Sequence, residues 1–324
     1  MNLSMKNIFF IIDNWYKRDK DINLKKNNEI IIVLGPTASG KTNLAVQIAS
    51  NLNGEIISAD SRQIYKGLDI GTGKDLEEYQ LDNKTINYHL IDILNPKENY
   101  SVYSFQRDFI NSYKKITNKN KKTILCGGTG LYIESLLLDY DLSNSPPPNT
   151  NLRSELSKKS MQELKSYLND INNSVIKNPK TDTKNRIIRN IEICLSNKKS
   201  SPALKEIPLN NYKIIGLNPG RDMIRKKITD RLIKRLEHGM ILEVENLLKS
   251  GVGHDRLFYF GLEYRYISEY IIGNLTYDEL VKNLNTAIHR FAKKQMTFFR
   301  RMEKRNIKIN WIKNNNLNEI KDFL

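Results

Sequence analysis

Short apolar runs alternate with longer amphipathic stretches along roughly the first 140 residues of the chain. Ile30–Leu34 is an apolar run rich in β-branched residues, which is typical of a strand buried on both faces of a parallel sheet. Residues 43–52 then place apolar side chains at helical spacing and predict an amphipathic helix. We therefore predict an α/β fold in which helices flank a parallel sheet. The same alternation predicts further strands at 55–59, 89–94, 123–126 and 214–217 and further helices at 100–113, 131–138 and 221–236.

The pattern changes at Ser143, where a polar segment runs into three consecutive prolines, Pro146–Pro148. Consecutive prolines cannot continue a helix, and they stiffen the chain. From there to about residue 209 the apolar residues follow helical periodicity, without a strand signal. We predict an all-helical insertion at 143–209 within a core formed by 29–142 and 210–324, with residues 1–28 as an N-terminal extension.

A glycine-rich loop, Gly35–Thr42, connects the first predicted strand to the first predicted helix and reads G-x-x-x-x-G-K-T. This strand–loop–helix context is that of a P-loop, in which glycines let backbone amides surround an anion and the helix N-terminus adds partial positive charge. We expect Lys41 to reach phosphate oxygens and Thr42 to bind Mg²⁺. The loop does not decide which phosphate compound binds. The predicted phosphate-binding residues are Gly35, Thr37, Ala38, Ser39, Gly40, Lys41 and Thr42.

Asp60 follows the second predicted strand, at the sheet edge where ligands bind in open α/β sheets. We expect it one strand over from the P-loop and facing the phosphate pocket. It is a candidate general base, and the alternative is a structural carboxylate that caps residues 61–63 or binds Mg²⁺. A second glycine turn, Gly127–Gly130, carries Thr129. Thr129 is a candidate contact to phosphate or to Asp60, and the alternative is a helix cap.

The chain carries 52 Lys and Arg residues against 36 Asp and Glu, a formal net charge of +16. An enzyme acting only on small anions does not need this excess, so the charge favours a polyanionic partner, in particular nucleic acid. The alternative is the compositional bias of a Lys- and Asn-rich proteome. Much of the positive charge lies in two helical stretches, 221–236 and 290–305, the second with interleaved phenylalanines.

The chain has two cysteines, Cys126 and Cys194, and neither has a Cys or His partner at metal-binding spacing. A zinc site and a disulfide framework are therefore not expected, and a reducing cytoplasm fits this composition. No apolar run approaches the roughly 18 residues that a membrane-spanning helix requires.

Taken together, the segments between Ile30 and Trp311 resemble the tRNA dimethylallyltransferase (isopentenyltransferase) family, in its bacterial form. That resemblance implies transfer of a dimethylallyl group from its diphosphate to N6 of adenosine 37, next to the anticodon of tRNA, with Mg²⁺. We expect a cytoplasmic monomer that binds dimethylallyl diphosphate and the tRNA anticodon stem-loop. The segments that carry the resemblance are Gly35–Thr42, Ser58–Tyr65, Asp69–Thr72, Gly127–Tyr132, Arg231–Gly239, Thr276–Glu279 and Phe291–Arg300.

The resemblance also implies roles for individual residues. Asp60 would accept the N6 proton, Thr129 would assist at the second glycine turn, and Arg231 would contact the diphosphate, although alone Arg231 reads as one more solvated basic residue. The helical insertion would grip the anticodon stem-loop, and the target adenine would be flipped out to react. The expected tRNA-binding residues are Asp60, Ser61, Arg62, Gln63, Thr129, Arg153, Asn185, Arg186 and Arg189.

Two positions depart from the family pattern. Asn185 stands where the common pattern has Gln, and Glu263 stands where the family usually has Gly. We expect Glu263 to affect a local tRNA contact and to lie away from the chemistry, because it is distant from the P-loop in sequence.

Three other functions remain open on the sequence. The first is a prenyltransferase acting on free AMP or ADP, which would share the P-loop and Asp60 but would need neither the insertion nor the basic C-terminal third. The second is a small-molecule kinase, which predicts NTP binding and an arginine-rich lid. The third is a non-enzymatic RNA-binding module, against which the intact Lys41, Thr42 and Asp60 argue.

Overall fold

The chain forms two compact units, Met1–Asp139 together with Ile207–Leu324, and Tyr140–Glu206. The predicted insertion, 143–209, overlaps the second unit over most of its length. The predicted N-terminal extension, 1–28, lies outside the described residues. The computed structural model describes residues 29–81, 84–140, 142, 146, 148–172, 181–196, 209, 211–314, 316, 319–320 and 323.

The first unit is built on a six-stranded, all-parallel sheet, which confirms the predicted α/β fold. Its central strands are wholly buried, because helices cover both faces, and this explains their apolar sequences. The strands, in the spatial order β5-β2-β6-β1-β7-β8, are β1 (Ile30–Leu34), β2 (Gly54–Ser58), β5 (Tyr88–His89), β6 (Lys122–Gly127), β7 (Tyr212–Leu217) and β8 (Asn310–Ile312).

The strand order corrects the expected position of Asp60. Strand β6 lies between β1 and β2, so Asp60 is two strands away from the P-loop rather than one. Within this arrangement Leu125 of β6 pairs with Ile32 on one side and with Ile57 on the other. The loop after β6, which contains Thr129, therefore lies between the P-loop and Asp60 at the carboxyl edge of the sheet.

Three further features differ from the predicted pattern. The predicted strand 89–94 is reduced to β5, because Leu90 and Asp92 adopt left-handed backbone angles, with φ of 62° and 55°, that a strand cannot contain. Strand β8 was not predicted, and it adds a parallel edge strand beside β7. A small antiparallel hairpin, β3 (Gln80–Leu81) and β4 (Lys84–Thr85), was also not predicted.

The helices of the first unit begin where the sequence provides caps or glycines. Ser101 caps the second helix by accepting a hydrogen bond from Ser104 N at 3.0 Å, and Thr276 and Glu279 form a capping box on the last helix. The described helices of this unit are α1 (Lys41–Asn51), α2 (Val102–Asn118), α3 (Gly130–Leu137), α7 (Arg221–Glu237), α8 (Met240–Lys249), α9 (His254–Phe260), α10 (Leu262–Ile271) and α11 (Tyr277–Glu303).

The second unit contains the helices α4 (Thr150–Ser157), α5 (Met161–Ile171) and α6 (Lys184–Leu195). Each begins at a residue whose side chain accepts a hydrogen bond from the first turn, namely Asn149, Ser160 and Thr183. Their apolar faces meet in a small core of its own, formed by Leu156, Leu164, Leu168, Ile187, Ile188 and Ile191. Across the described part of the chain, no helix is long and apolar enough to cross a membrane.

Candidate functional site

A cavity of about 570 Å³ opens at the carboxyl edge of the sheet, where β1, β2 and β6 end. This volume lies in the range of ordinary small-molecule sites. The walls come from the P-loop, the segments 60–63 and 71–79, the second glycine turn, one face of α7, residues 260–264 and α11.

The P-loop forms one wall of the cavity. Gly40 has φ 92°, a left-handed angle that suits glycine, and it turns the chain into α1. Two of the predicted phosphate-binding residues, Gly35 and Ser39, do not line the cavity. Ser39 is only 3% exposed, and its Oγ occupies the space that a side chain at Gly35 would fill. The predicted phosphate-binding residues that do line the cavity are Thr37, Ala38, Gly40, Lys41 and Thr42.

Two cations lie at this wall, Lys41 on the P-loop itself and Arg231 on α7. Burial lowers the pKa of Lys41, and burial together with the nearby charge of Arg235 lowers the pKa of Arg231 to about 10. Arg231 Nη2 donates a hydrogen bond to Thr37 Oγ1, so Arg231 is part of the site rather than a solvated residue. Cations that have already lost hydration interact strongly with an arriving anion.

Asp60 and Thr129 lie on the wall between the P-loop and β2. Asp60 Oδ1 accepts a hydrogen bond from Arg62 N at 2.8 Å, so the carboxylate both shapes its own turn and lines the cavity. Thr129 Oγ1 accepts from Ser61 N at 3.1 Å, whereas α3 begins without a side-chain cap. The helix-cap alternative for Thr129 is therefore wrong, and its hydroxyl contacts the residue next to Asp60.

Ser61, Arg62 and Gln63 also line the cavity, as predicted for residues that meet the adenine. The Gln63 amide is held at both ends, because its Nε2 donates to Gly73 O and its Oε1 accepts from Ser58 Oγ, each at 2.9 Å. The Arg62 guanidinium lies 4.7 Å from the centre of the Tyr259 ring. Gln63 therefore connects β2, through Ser58, to the wall formed by residues 71–79, through Gly73.

One face of α7 contributes more than the single arginine that the sequence singled out. Lys227, Arg231, Lys234 and Arg235 all line the cavity. Their spacing of three and four residues places them on one helical face, a signal already present in the sequence. Arg235 Nη2 pairs with Asp75 Oδ2 at 2.8 Å and thereby joins α7 to the wall formed by residues 71–79.

Glu263 corrects the expectation that this position is remote from the chemistry. It lies in the wall of the same cavity as Asp60 and Arg231, although more than 200 residues separate it from Asp60. Burial raises the pKa of its carboxyl group, against the opposing charges of Arg231 and Arg235. No periodicity or spacing in the sequence indicates this position.

Gln295 joins the P-loop to the second glycine turn, and sequence reasoning assigned it no role. Its Oε1 accepts from Thr37 N at 2.8 Å, and its Nε2 donates to Gly128 O at 3.0 Å. Gln295 is 8% exposed; its bond to Gly128 is buried and its bond to Thr37 is partly buried. Thr37 is thus held from two helices, by Gln295 of α11 and by Arg231 of α7.

Replacing Gln295 by Leu should lower the free energy of unfolding by about 2 kcal/mol, because a buried N–H and a buried carbonyl lose their partners. Urea titration of the two proteins measures this difference. The matched control is Gln162→Leu on an exposed position of α5, which should change stability little. Equal losses for the two variants would contradict the bridging role of Gln295.

In the second unit, two predicted tRNA-binding arginines are already engaged. Arg153 forms two bonds of 2.7 Å with Glu192, and Arg189 Nη1 adds a third at 2.8 Å. Burial opposes the charge on Glu192, but these bonds outweigh it and hold the pKa of this carboxyl below its usual value. Arg186, by contrast, is exposed and pairs with the exposed Asp182, and Asn185 is exposed beside it.

The basic stretch at the end of α11 is also partly compensated. Arg301 and Arg305 bind the buried Glu134 at 2.9 and 3.2 Å, and Arg301 stacks 4.0 Å from the centre of the Phe298 ring. These two arginines anchor α11 to α3. Phe291 of the same helix is 45% exposed and lines the cavity instead.

Comparison with known proteins assigns the chain to a family. The family model described as IPP transferase matches residues 63–302. The chain is 51% identical to tRNA dimethylallyltransferase 1 of Azobacteroides pseudotrichonymphae over 300 residues, covering 90% of this chain and 96% of that protein. It is 49% identical to tRNA dimethylallyltransferase 2 of Bacteroides fragilis, covering 88% and 92%.

Solved structures show the same fold. The tRNA isopentenylpyrophosphate transferase from Bacillus halodurans superposes with a TM-score of 0.62 at 31% identity, covering 88% of this chain and 89% of that chain. A eukaryotic dimethylallyltransferase acting on tRNA superposes with a TM-score of 0.69 at 20% identity, covering 87% and 73%. The second likeness supports the fold alone.

Proposed function

The chain belongs to the IPP transferase family, and from this premise we propose that it transfers a dimethylallyl group from dimethylallyl diphosphate to N6 of adenosine 37 in tRNA. The observation that carries the proposal is the composition of the cavity. A P-loop with two desolvated cations, Lys41 and Arg231, forms one side, and the carboxylate of Asp60 lies on the other. An anion-binding site and a proton acceptor therefore line the same cavity.

The chemistry requires both parts. The exocyclic amine of adenine is a weak nucleophile, because its lone pair is delocalised into the ring. The allylic diphosphate leaves readily when its developing charge is held, and Lys41 and Arg231 supply that stabilisation. Asp60 accepts the N6 proton as the new carbon–nitrogen bond forms. In this role the P-loop binds a leaving group rather than a nucleoside triphosphate.

Mg²⁺ would bind through the Thr42 hydroxyl together with oxygens of the diphosphate, since Mg²⁺ prefers few protein ligands plus phosphate and water. Thr42 lines the cavity and offers one hydroxyl ligand, and the described residues contain no cluster of three or more His, Cys, Asp and Glu side chains that could hold a metal. Bound there, Mg²⁺ would neutralise charge on the diphosphate.

The charge of the cavity supports a metal complex as ligand. Six basic and five acidic side chains line it, so it is close to neutral as a whole. Such a cavity suits a diphosphate whose charge is already reduced by a divalent cation. The acidic side chains are Asp60, Asp75, Glu78, Asp230 and Glu263, and the basic ones are Lys41, Arg62, Lys227, Arg231, Lys234 and Arg235.

One assay tests the proposal against its closest alternatives. Labelled dimethylallyl diphosphate is incubated with unmodified tRNA, with AMP and with ATP, and the product nucleosides are separated. Transfer to tRNA supports the proposal, whereas transfer only to AMP would identify an adenylate prenyltransferase. Phosphoryl transfer from ATP without prenyl transfer would identify a kinase.

The second unit is proposed to hold the anticodon stem-loop. In support, the chain carries a net charge of +16, and the unit has its own core and exposed polar groups on α6. Replacing residues 143–209 by a short Gly-Ser linker should abolish tRNA binding and leave binding of inorganic diphosphate largely intact. In the unaltered chain, tRNA affinity should fall steeply with salt, because each phosphate contact releases counterions.

We would measure tRNA affinity by filter binding across a salt series, for the unaltered chain and for the linker variant. Titration of both proteins with inorganic diphosphate measures the second affinity. Normal tRNA affinity in the linker variant would show that the second unit is not the gripping element. Loss of diphosphate binding as well would show that the deletion damaged the first unit, and single substitutions of the exposed Asn185 and Arg186 would then replace it.

A further inference from the structure

Glu263 is an acidic side chain in the wall of a cavity proposed to bind an anion. It belongs to the first turn of α10, which begins after Gly261, a residue with φ 126°. The next residue, Tyr264, is fully buried, and its hydroxyl donates to Glu243 Oε1 at 2.8 Å. This anchor fixes the register of α10, so Glu263 is held at the cavity wall.

Glu243 strengthens the anchor, because the same carboxylate binds the opposite wall. Its Oε2 accepts from Asp69 N at 2.8 Å and from Ile70 N at 2.6 Å, and its Oε1 accepts from Gly71 N at 3.1 Å. The wall that contains Glu263 and the segment 69–71 are therefore fastened to one another through a single side chain.

The cations nearest to Glu263 are committed to other partners. Arg235 pairs with Asp75 at 2.8 Å, and Arg231 donates to the P-loop. They act on Glu263 through space and favour its charged form, whereas burial and the charge of Asp60 favour the neutral form, and burial is the largest influence on its pKa. The other charged side chains that line the cavity are Lys41, Arg62, Glu78, Lys227, Asp230 and Lys234.

A diphosphate in this cavity changes that balance. It neutralises Arg231, which had favoured the carboxylate, and it brings additional negative charge into the cavity that Glu263 lines. Both effects disfavour a second anion in the same partly desolvated space. The neutral acid, in contrast, has an O–H that can donate to a phosphate oxygen.

We propose that Glu263 carries a proton when diphosphate occupies the cavity and passes that proton to the diphosphate as it leaves. The inference rests on the proposed function, and it adds a proton donor on the leaving-group side. The bond between the allylic carbon and the diphosphate oxygen breaks, and its electron pair remains on that oxygen. The adenine N6 forms the new bond to carbon and loses its proton to Asp60. The Glu263 proton moves to the diphosphate, so the charges balance.

The first test measures protons taken up when the ligand binds and does not depend on turnover. Inorganic diphosphate with Mg²⁺ is titrated by calorimetry in two buffers that differ in ionisation enthalpy. The intact protein should take up about one proton more than Glu263→Gln, whose amide does not titrate, since binding linked to protonation consumes protons. Glu237→Gln, an exposed charge removal at the end of α7, should behave as the intact protein does. Equal uptake in the intact protein and Glu263→Gln would overturn the inference.

The second test is the pH dependence of single-turnover prenyl transfer. A proton donor must be protonated to act, so the rate should fall as pH rises through the pKa of Glu263 in the complex. Glu263→Gln should lose the alkaline limb and turn over at least about 100-fold more slowly at the optimum. If Glu263→Gln kept both the alkaline fall in rate and the rate at the optimum, the proton-donor role of Glu263 would be overturned and the proposed function would stand. An intact protein that neither binds diphosphate nor transfers the prenyl group would instead overturn the proposed function.

Discussion

Replacing Asp60 by Asn should reduce the single-turnover rate of prenyl transfer by about 100- to 10,000-fold, because the amide cannot accept the N6 proton. The local fold should survive, since Asp60 Oδ1 accepts from Arg62 N at 2.8 Å and an Asn oxygen can accept the same bond. Dimethylallyl diphosphate should bind as well or slightly better, because a negative charge beside the diphosphate is removed. Affinity for tRNA should change little.

A magnesium titration distinguishes a general base from a metal ligand at this position. If Asp60 held Mg²⁺, Asp60→Asn would weaken diphosphate binding and recover with high metal concentration, and full recovery would rule out the base assignment. Asp255→Asn provides the matched control, because Asp255 is exposed on α9 and lies outside the cavity. Its rate should equal that of the unaltered protein.

Replacing Lys41 by Ala should lower turnover by about 100- to 1,000-fold, the usual cost of removing one preorganised group that stabilises developing negative charge. Lys41 lies on the cavity wall, and burial already lowers its pKa, so its charge lacks full hydration before the ligand arrives. Both inorganic diphosphate and dimethylallyl diphosphate should bind more weakly. Competition between the two ligands, followed by titration, measures the loss.

Lys66→Ala is the control for Lys41→Ala, because Lys66 is exposed and does not line the cavity. It removes the same charge from the chain and should leave both affinities unchanged. Tight binding of ATP to the unaltered protein, without competition from diphosphate, would contradict the leaving-group role of the P-loop and favour a kinase.

Features that depend on neighbouring residues were predictable. The apolar run Ile30–Leu34, the loop Gly35–Thr42 and the helix behind it form as the sequence indicates, because strand burial, glycine backbone angles and helical periodicity are local properties. The change of pattern at Ser143 also falls close to the start of the second unit. Asp60 was identified for the same reason, since it directly follows a recognisable strand.

Features that depend on which distant residue or strand a segment contacts were less predictable from the sequence. The family resemblance assigned Arg153 and Arg189 to tRNA contact, and the structure pairs both with Glu192, Arg153 from α4 and Arg189 from the same helix as Glu192. Strand order was misplaced because β6 enters the sheet between β1 and β2 after a separation of more than 60 residues. The left-handed angles of Leu90 and Asp92 shortened a strand that composition alone favoured.

The sequence by itself determined the phosphate loop, the candidate base and the alternation of buried strands with helices that predicts an α/β fold, because each is encoded in short stretches of consecutive residues. Only the tertiary structure decided which distant side chains share the cavity. Gln295 reaches Thr37 across 258 positions, and Glu243 reaches Asp69 across 174. Glu263 enters the same cavity because packing of Tyr264 fixes the register of α10. Such contacts follow from how buried faces pack, which no local pattern specifies.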